Sequence, residues 1–144
     1  MSEVIDPVAD VLGVSKSQRR TGLALIDTIM NGLPVKAVDR VASAVAPGDA
    51  NFRFRIVPKA TLERRKKSPR ARLTIEEGDR VARVAKVWSA ATDVWGSEEA
   101  ARAFLFRPHM LLAGRKPIDV ALGTDLGARL VEDILGRLKF GSAP

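Results

Sequence analysis

The sequence predicts an all-α protein, with an N-terminal helix-turn-helix bundle over residues 1–72 and a small helical domain over residues 73–144. Two observations carry this. Apolar residues recur almost everywhere at spacings of three and four, the period of a helix with one buried face. The only strand-like run has no partner strand, and an isolated strand is not stable.

Taken in order, the N-terminus MSEVIDPVADVLGV has acids and a proline where a signal peptide needs positive charge and an apolar run. No stretch approaches the roughly 18 consecutive apolar residues of a membrane span. With no cysteine in the chain, disulfides and thiolate metal sites are excluded and a reducing compartment is compatible. The expectation is a cytoplasmic protein with no membrane partner. Leu23, Ile26, Met30 and Leu33 form the first apolar stripe, and Asn31-Gly32 is a turn. Pro34 then suits a first helical turn, and Val35, Val38, Val41, Ala42 and Val45 make the next stripe, ended by Pro47-Gly48.

"NFRFRIV" alternates Phe52, Phe54 and Ile56 with Arg53 and Arg55, a strand pattern by period alone. The lack of a partner favours helix, and Pro58 opens a second helix over "PKATLERRKK". "SPRAR" (68–72) is the expected connector between domains. Thr74 and Glu77 have capping-box spacing and start a helix whose apolar face is Val81, Val84, Ala85, Trp88, Ala91 and Trp95. Both tryptophans read as core. Gly96 ends that helix, Ser97 caps a short one through Leu105, and Thr124-Asp125 begins a last one. Its face is Leu126, Leu130, Val131, Ile134 and Leu138, and Gly141 terminates it. Between them, "RPHMLLAGRKPIDVALGTDLG" (107–127) reads as an apolar loop, folded back to complete a small core.

Charge is unevenly placed. The net +7 lies entirely in residues 1–72, with 14 Lys/Arg against 7 Asp/Glu, whereas residues 73–144 hold 10 of each. Residues 53–72 alone carry nine basic side chains and the single acid Glu63. Such a block is either a solvated face, a DNA-binding surface, or a surface for RNA or an acidic protein. For DNA, residues 50–56 serve as the supporting helix, Val57-Pro58 as the turn, and the helix from Lys59 as the recognition helix. The side chains placed at DNA are Arg53, Arg55, Lys59, Thr61, Arg64, Arg65, Lys66 and Lys67, with Ala60 and Leu62 seating the helix.

Catalytic equipment is sparse. His109 is the only histidine and stands in no nucleophile motif, and tyrosine is absent. The acid pairs Glu76-Glu77 and Glu98-Glu99 suit the first turns of helices. We expect no enzyme, no metal and no cofactor.

Residues 73–141 resemble the C-terminal domain of the Xre/MbcA/ParS antitoxins of type II toxin–antitoxin pairs. The resemblance lies in Arg80 and Arg83, Trp95-Gly96, Glu99-Ala100, the series Pro108, Leu112, Gly114, Pro117 and Asp119, then Gly127 and "LGRLKFG" at 135–141. "GLP" and "PKATLERR" in the first half resemble the Xre-like helix-turn-helix of the same antitoxins. This implies operator DNA at the N-terminal half and a RES-domain toxin, an NAD-consuming enzyme, at the C-terminal half. The toxin would be neutralised by Arg137, Lys139, Phe140, Gly141 and Ser142 placed over its active site. A homodimer is expected, because operators are commonly read by symmetric dimers. Two alternatives stand beside this: a lone transcription regulator with a C-terminal dimerisation domain, and an enzyme using His109.

Overall fold

The computed structural model describes residues 5–13 and 22–141. In order these form α1 (Ile5–Leu12), α2 (Gly22–Met30), α3 (Lys36–Val45), α4 (Arg53–Ile56), α5 (Lys59–Lys67), α6 (Ile75–Trp95) and α7 (Glu98–Leu105). A 3₁₀ turn (Met110–Leu112), α8 (Pro117–Gly123) and α9 (Asp125–Lys139) complete it. There is no strand among the described residues, only an isolated bridge between Pro34 and Arg72. The protein is therefore all-α. None of the described helices is long and apolar enough to cross a membrane.

The chain forms two compact units, residues 1–85 and 86–144. They divide inside α6, not at the connector read at 68–72. That polar segment belongs to the first unit because its backbone is tied there. Val35 N–H donates to the Ala71 carbonyl at 2.9 Å, and Leu73 N–H to the Leu33 carbonyl at 2.8 Å. The Arg72 guanidinium adds a bond to the Gly32 carbonyl at 2.8 Å.

The core of the first unit is built from Val8 and Leu12 of α1, Val38, Val41 and Val45 of α3, Phe52 and Ile56 around α4, and Leu62 of α5, all essentially buried. The stripe expected on α3 is the buried one. Of the first expected stripe only Leu33 is buried: Leu23, Ile26 and Met30 on α2 are 66%, 52% and 60% exposed, while Leu25 and Ile29 are buried. The helix GLALIDTIM is apolar nearly all round, so its period does not choose a face. Packing does, because Ile29 lies over Gly78 of α6, where a Cβ would come within 3.2 Å of its methyl. The ambiguous run at 52–56 is helical. Phe52 and Ile56, four apart, share the buried side and Phe54 is half-buried, as a helix and not a strand distributes them.

In the second unit, Val87, Trp88 and Ala91 of α6 are buried, as are Ala101, Phe104 and Leu105 of α7, and Ile118 and Ala121 of α8. From α9 come Ala128, Val131, Ile134 and Leu135. Ser97 and Thr124 cap α7 and α9, accepting from Ala100 N–H at 3.1 Å and Gly127 N–H at 2.9 Å. Three expectations are corrected. Trp95 is 42% exposed and is not core. On α9, Leu126, Leu130 and Leu138 are exposed at 75%, 43% and 39%. The 107–127 passage is only partly a loop, because Pro117, pre-set for a first turn, opens α8. Leu112, Ile118 and Ala121 do fill the core, but Met110 is 90% exposed and Leu111 42%.

Candidate functional site

α5 is the helix expected from the sequence to be the recognition helix. Val57 is extended, Pro58 precedes the first turn, and Leu62 anchors the helix at 1% exposure. What sequence did not show is how many of its cations are already engaged. Arg65 meets Glu77 of α6 with two parallel bonds, Nε to Oε1 at 2.9 Å and Nη2 to Oε2 at 3.1 Å. Glu77 also accepts from Thr74 N–H at 2.9 Å, while Thr74 Oγ1 accepts from Glu77 N–H at 3.2 Å. The capping box read from spacing is thus present, and its carboxylate has a second task. Burial pushes the Glu77 carboxyl up, but the bonds from Arg65 and Thr74 outweigh this and hold it below its ordinary value. The hydrogen bond to Glu77 in turn raises Arg65.

Asp39 of α3 does the same for two more cations. Its Oδ1 takes Arg53 Nη1 at 2.6 Å and its Oδ2 takes Lys66 Nζ at 3.0 Å. Of the other expected residues, the Arg55 guanidinium lies 5.6 Å from the centre of the Phe52 ring and the Lys59 ammonium 5.7 Å from that of Phe54. Thr61 is half-buried, and Arg64 and Lys67 are exposed, with no ion pair to any described residue. Asp39 and Glu77 are the residues missed by sequence reading. Glu77 was visible as a cap, but nothing in its spacing pointed to an arginine twelve residues earlier.

In the second unit, α9 ends in a mixed basic and aromatic turn. Arg137 and Lys139 are exposed, Phe140 is 78% exposed, and Gly141 has φ +69°. Lys139 Nζ pairs with Asp93 of α6 at 2.5 Å, both side chains being about half exposed. Ser142 lies outside the described residues. Beside this end is an open groove of about 430 Å³ lined by Trp95, Phe104, Arg107, Pro108, His109 and Leu138, among others. Phe104 sits between Trp95 and His109, with ring centres 5.7 Å from each.

His109 has a structural task. Its Nδ1 accepts from Leu111 N–H at 3.1 Å, and its backbone closes the loop through bonds with Arg115 and Gly114 at 3.0 Å. Ala113 and Gly114 take the left-handed conformations (φ 55° and 81°) that this tight closure requires. No group of three or more His, Cys, Asp or Glu able to hold a metal ion occurs among the described residues.

Two family models match, and the break between them falls within α6, as does that between the two units. Residues 24–86 match the antitoxin Xre-like helix-turn-helix domain, and residues 90–141 match the antitoxin Xre/MbcA/ParS C-terminal toxin-binding domain. A relative described as antitoxin Xre, from Yersinia enterocolitica serotype O:8 / biotype 1B (strain NCTC 13174 / 8081), is 34% identical over 122 residues. That alignment covers 83% of this chain and 81% of the relative. With the helix-turn-helix in its first unit and the toxin-binding fold in its second, this chain belongs to the Xre antitoxin family.

Proposed function

We propose that this antitoxin neutralises a cognate RES-domain, NAD-consuming toxin by laying its C-terminal residues over the toxin's active site. It acts by binding and not by catalysis, in the cytoplasm, as part of a type II toxin–antitoxin pair. The observation that carries the reading is the exposed end of α9. Exposed cations, a largely exposed aromatic ring with the Lys139 ammonium 5.7 Å from its centre, and a left-handed glycine stand clear of the core in the domain whose family model is toxin-binding. An NAD pocket must accept a pyrophosphate and two flat rings, and Arg137, Lys139 and Phe140 match those chemistries in kind. As a homodimer, the same chain binds the operator of its own operon through α5, with Lys59, Thr61, Arg64 and Lys67 outward.

The test is cellular NAD and growth in bacteria expressing the neighbouring toxin gene with either the full chain or a chain ending at Leu138. We expect the full chain to preserve both, and the truncation to co-purify with the toxin yet fail to protect. Equal protection by the two would move neutralisation away from the C-terminal residues. Protection by neither would leave a regulator without this toxin.

A further inference from the structure

The assignment of α5 to operator DNA is the starting point. Residues 53–72 hold nine basic side chains, yet they do not form one uniform cationic face. Three are held by carboxylates from other helices: Arg65 by Glu77 of α6, and Arg53 and Lys66 by the two oxygens of Asp39 of α3. The Glu77 side chain is only 11% exposed, and its orientation is fixed by the helix it caps. A two-pronged arginine–carboxylate pair of this kind has geometry as well as charge.

We propose that Asp39 and Glu77 are positioning residues for DNA recognition, a role that rests on α5 being the DNA-reading helix. They fix α4 and α5 and withdraw Arg53, Arg65 and Lys66 from the DNA. Contact with phosphates and bases then falls to Lys59, Arg64 and Lys67, together with Thr61. Thr61, Arg64 and Lys67 follow one another at intervals of three along α5, so they progress along one side of the helix. Arg65 is rotated by about 100° from Arg64 and points to α6. The two adjacent arginines therefore have different tasks.

This separates from a plain electrostatic account by sign. Removing a carboxylate from a basic surface raises the net charge, and if charge alone governed binding, affinity for DNA would rise. If the carboxylate positions the helix, affinity falls.

The experiment is fluorescence anisotropy of the full chain with a labelled duplex of the region upstream of its gene, and with a scrambled duplex, across a salt series. Circular dichroism of each variant confirms folding. Glu77→Gln keeps the capping box, which glutamine also serves. Arg65→Lys keeps the charge and loses the fork. We expect both to bind the upstream duplex about tenfold more weakly with an unchanged salt slope. Arg64→Ala should lower that slope by about 0.9, the change expected when one phosphate is no longer neutralised.

Binding by Glu77→Gln as tight as wild type or tighter would overturn the proposal, as would wild-type affinity in Arg65→Lys. Should Glu77→Gln not fold, Asp39→Asn makes the same comparison of sign: weaker binding supports the proposal and tighter binding overturns it. Wild-type protein that does not prefer the upstream duplex would instead remove the DNA assignment itself, and the positioning role with it.

Discussion

The basic ends of α5 and α9 look alike in sequence and differ in kind. In α5, Arg65 makes a two-pronged pair with a carboxylate that is 11% exposed. In α9, Lys139 pairs through one oxygen of Asp93, with side chains 47% and 56% exposed. An exposed pair is worth only about 0–1 kcal/mol and is readily exchanged for another anion. A part-buried, hydrogen-bonded carboxylate that loses its partner keeps its desolvation cost, so its cation stays bound. One helix end is built to stay as it is, and the other has a cation that a partner can take over at little cost. Residue type did not distinguish them; the burial of the opposing acid does.

The contrast depends on both helices being firmly seated, and the largest effect comes from unseating one. A Cβ at Gly127 would overlap the Val120 carbonyl oxygen, which is backbone and cannot swing aside. Gly127→Ala should separate α8 from α9 and cost about 3 kcal/mol or more of stability, seen as a fall in melting temperature together with loss of toxin binding. Next comes the pair of ions itself. Arg65→Ala should cost about 1–3 kcal/mol because Glu77 is left buried without its fork, whereas Lys139→Ala should stay within about 0.5 kcal/mol. Urea melts of the two variants measure the difference directly, and equal losses would erase it.

The smallest effect is in acid. Glu77 is held below its ordinary value of 4.5, so its contribution to stability is fully present above that value and is lost as pH falls through the lower, folded one. Wild-type stability should thus fall more steeply than that of Glu77→Gln between roughly pH 5 and pH 3, with the two curves parallel near neutrality.

Local chemistry was legible where one residue determines one bond. The Thr74–Glu77 box, the Ser97 and Thr124 caps and the Pro58 break between α4 and α5 all stand as their spacing predicts. Faces were less legible. α3 has polar residues on one side and buries the expected stripe, but α2 is apolar on nearly every side and needed Gly78 to choose. Trp95 obeys the period of Trp88 and yet lies 42% exposed, because it lines the open groove beside Phe104 and Leu138. The pairing of Arg65 with Glu77, and of Asp39 with Arg53 and Lys66, joins helices separated in sequence, which no local pattern encodes. α1 was not read from its sequence at all, though Val8 and Leu12 are among the most buried residues of the chain.

The exposed loop tip has a further consequence, in terms of oxidation. The chain has no cysteine, and both described methionines that follow the N-terminus, Met30 and Met110, stand at the surface at 60% and 90% exposure. Conversion of Met110 to its sulfoxide adds a polar oxygen to a side chain already in water, and takes nothing from the core. Beneath it, the loop remains closed by the backbone of His109 and by Leu112 in the interior. Oxidants can therefore change the texture of this surface while the fold under it remains the same.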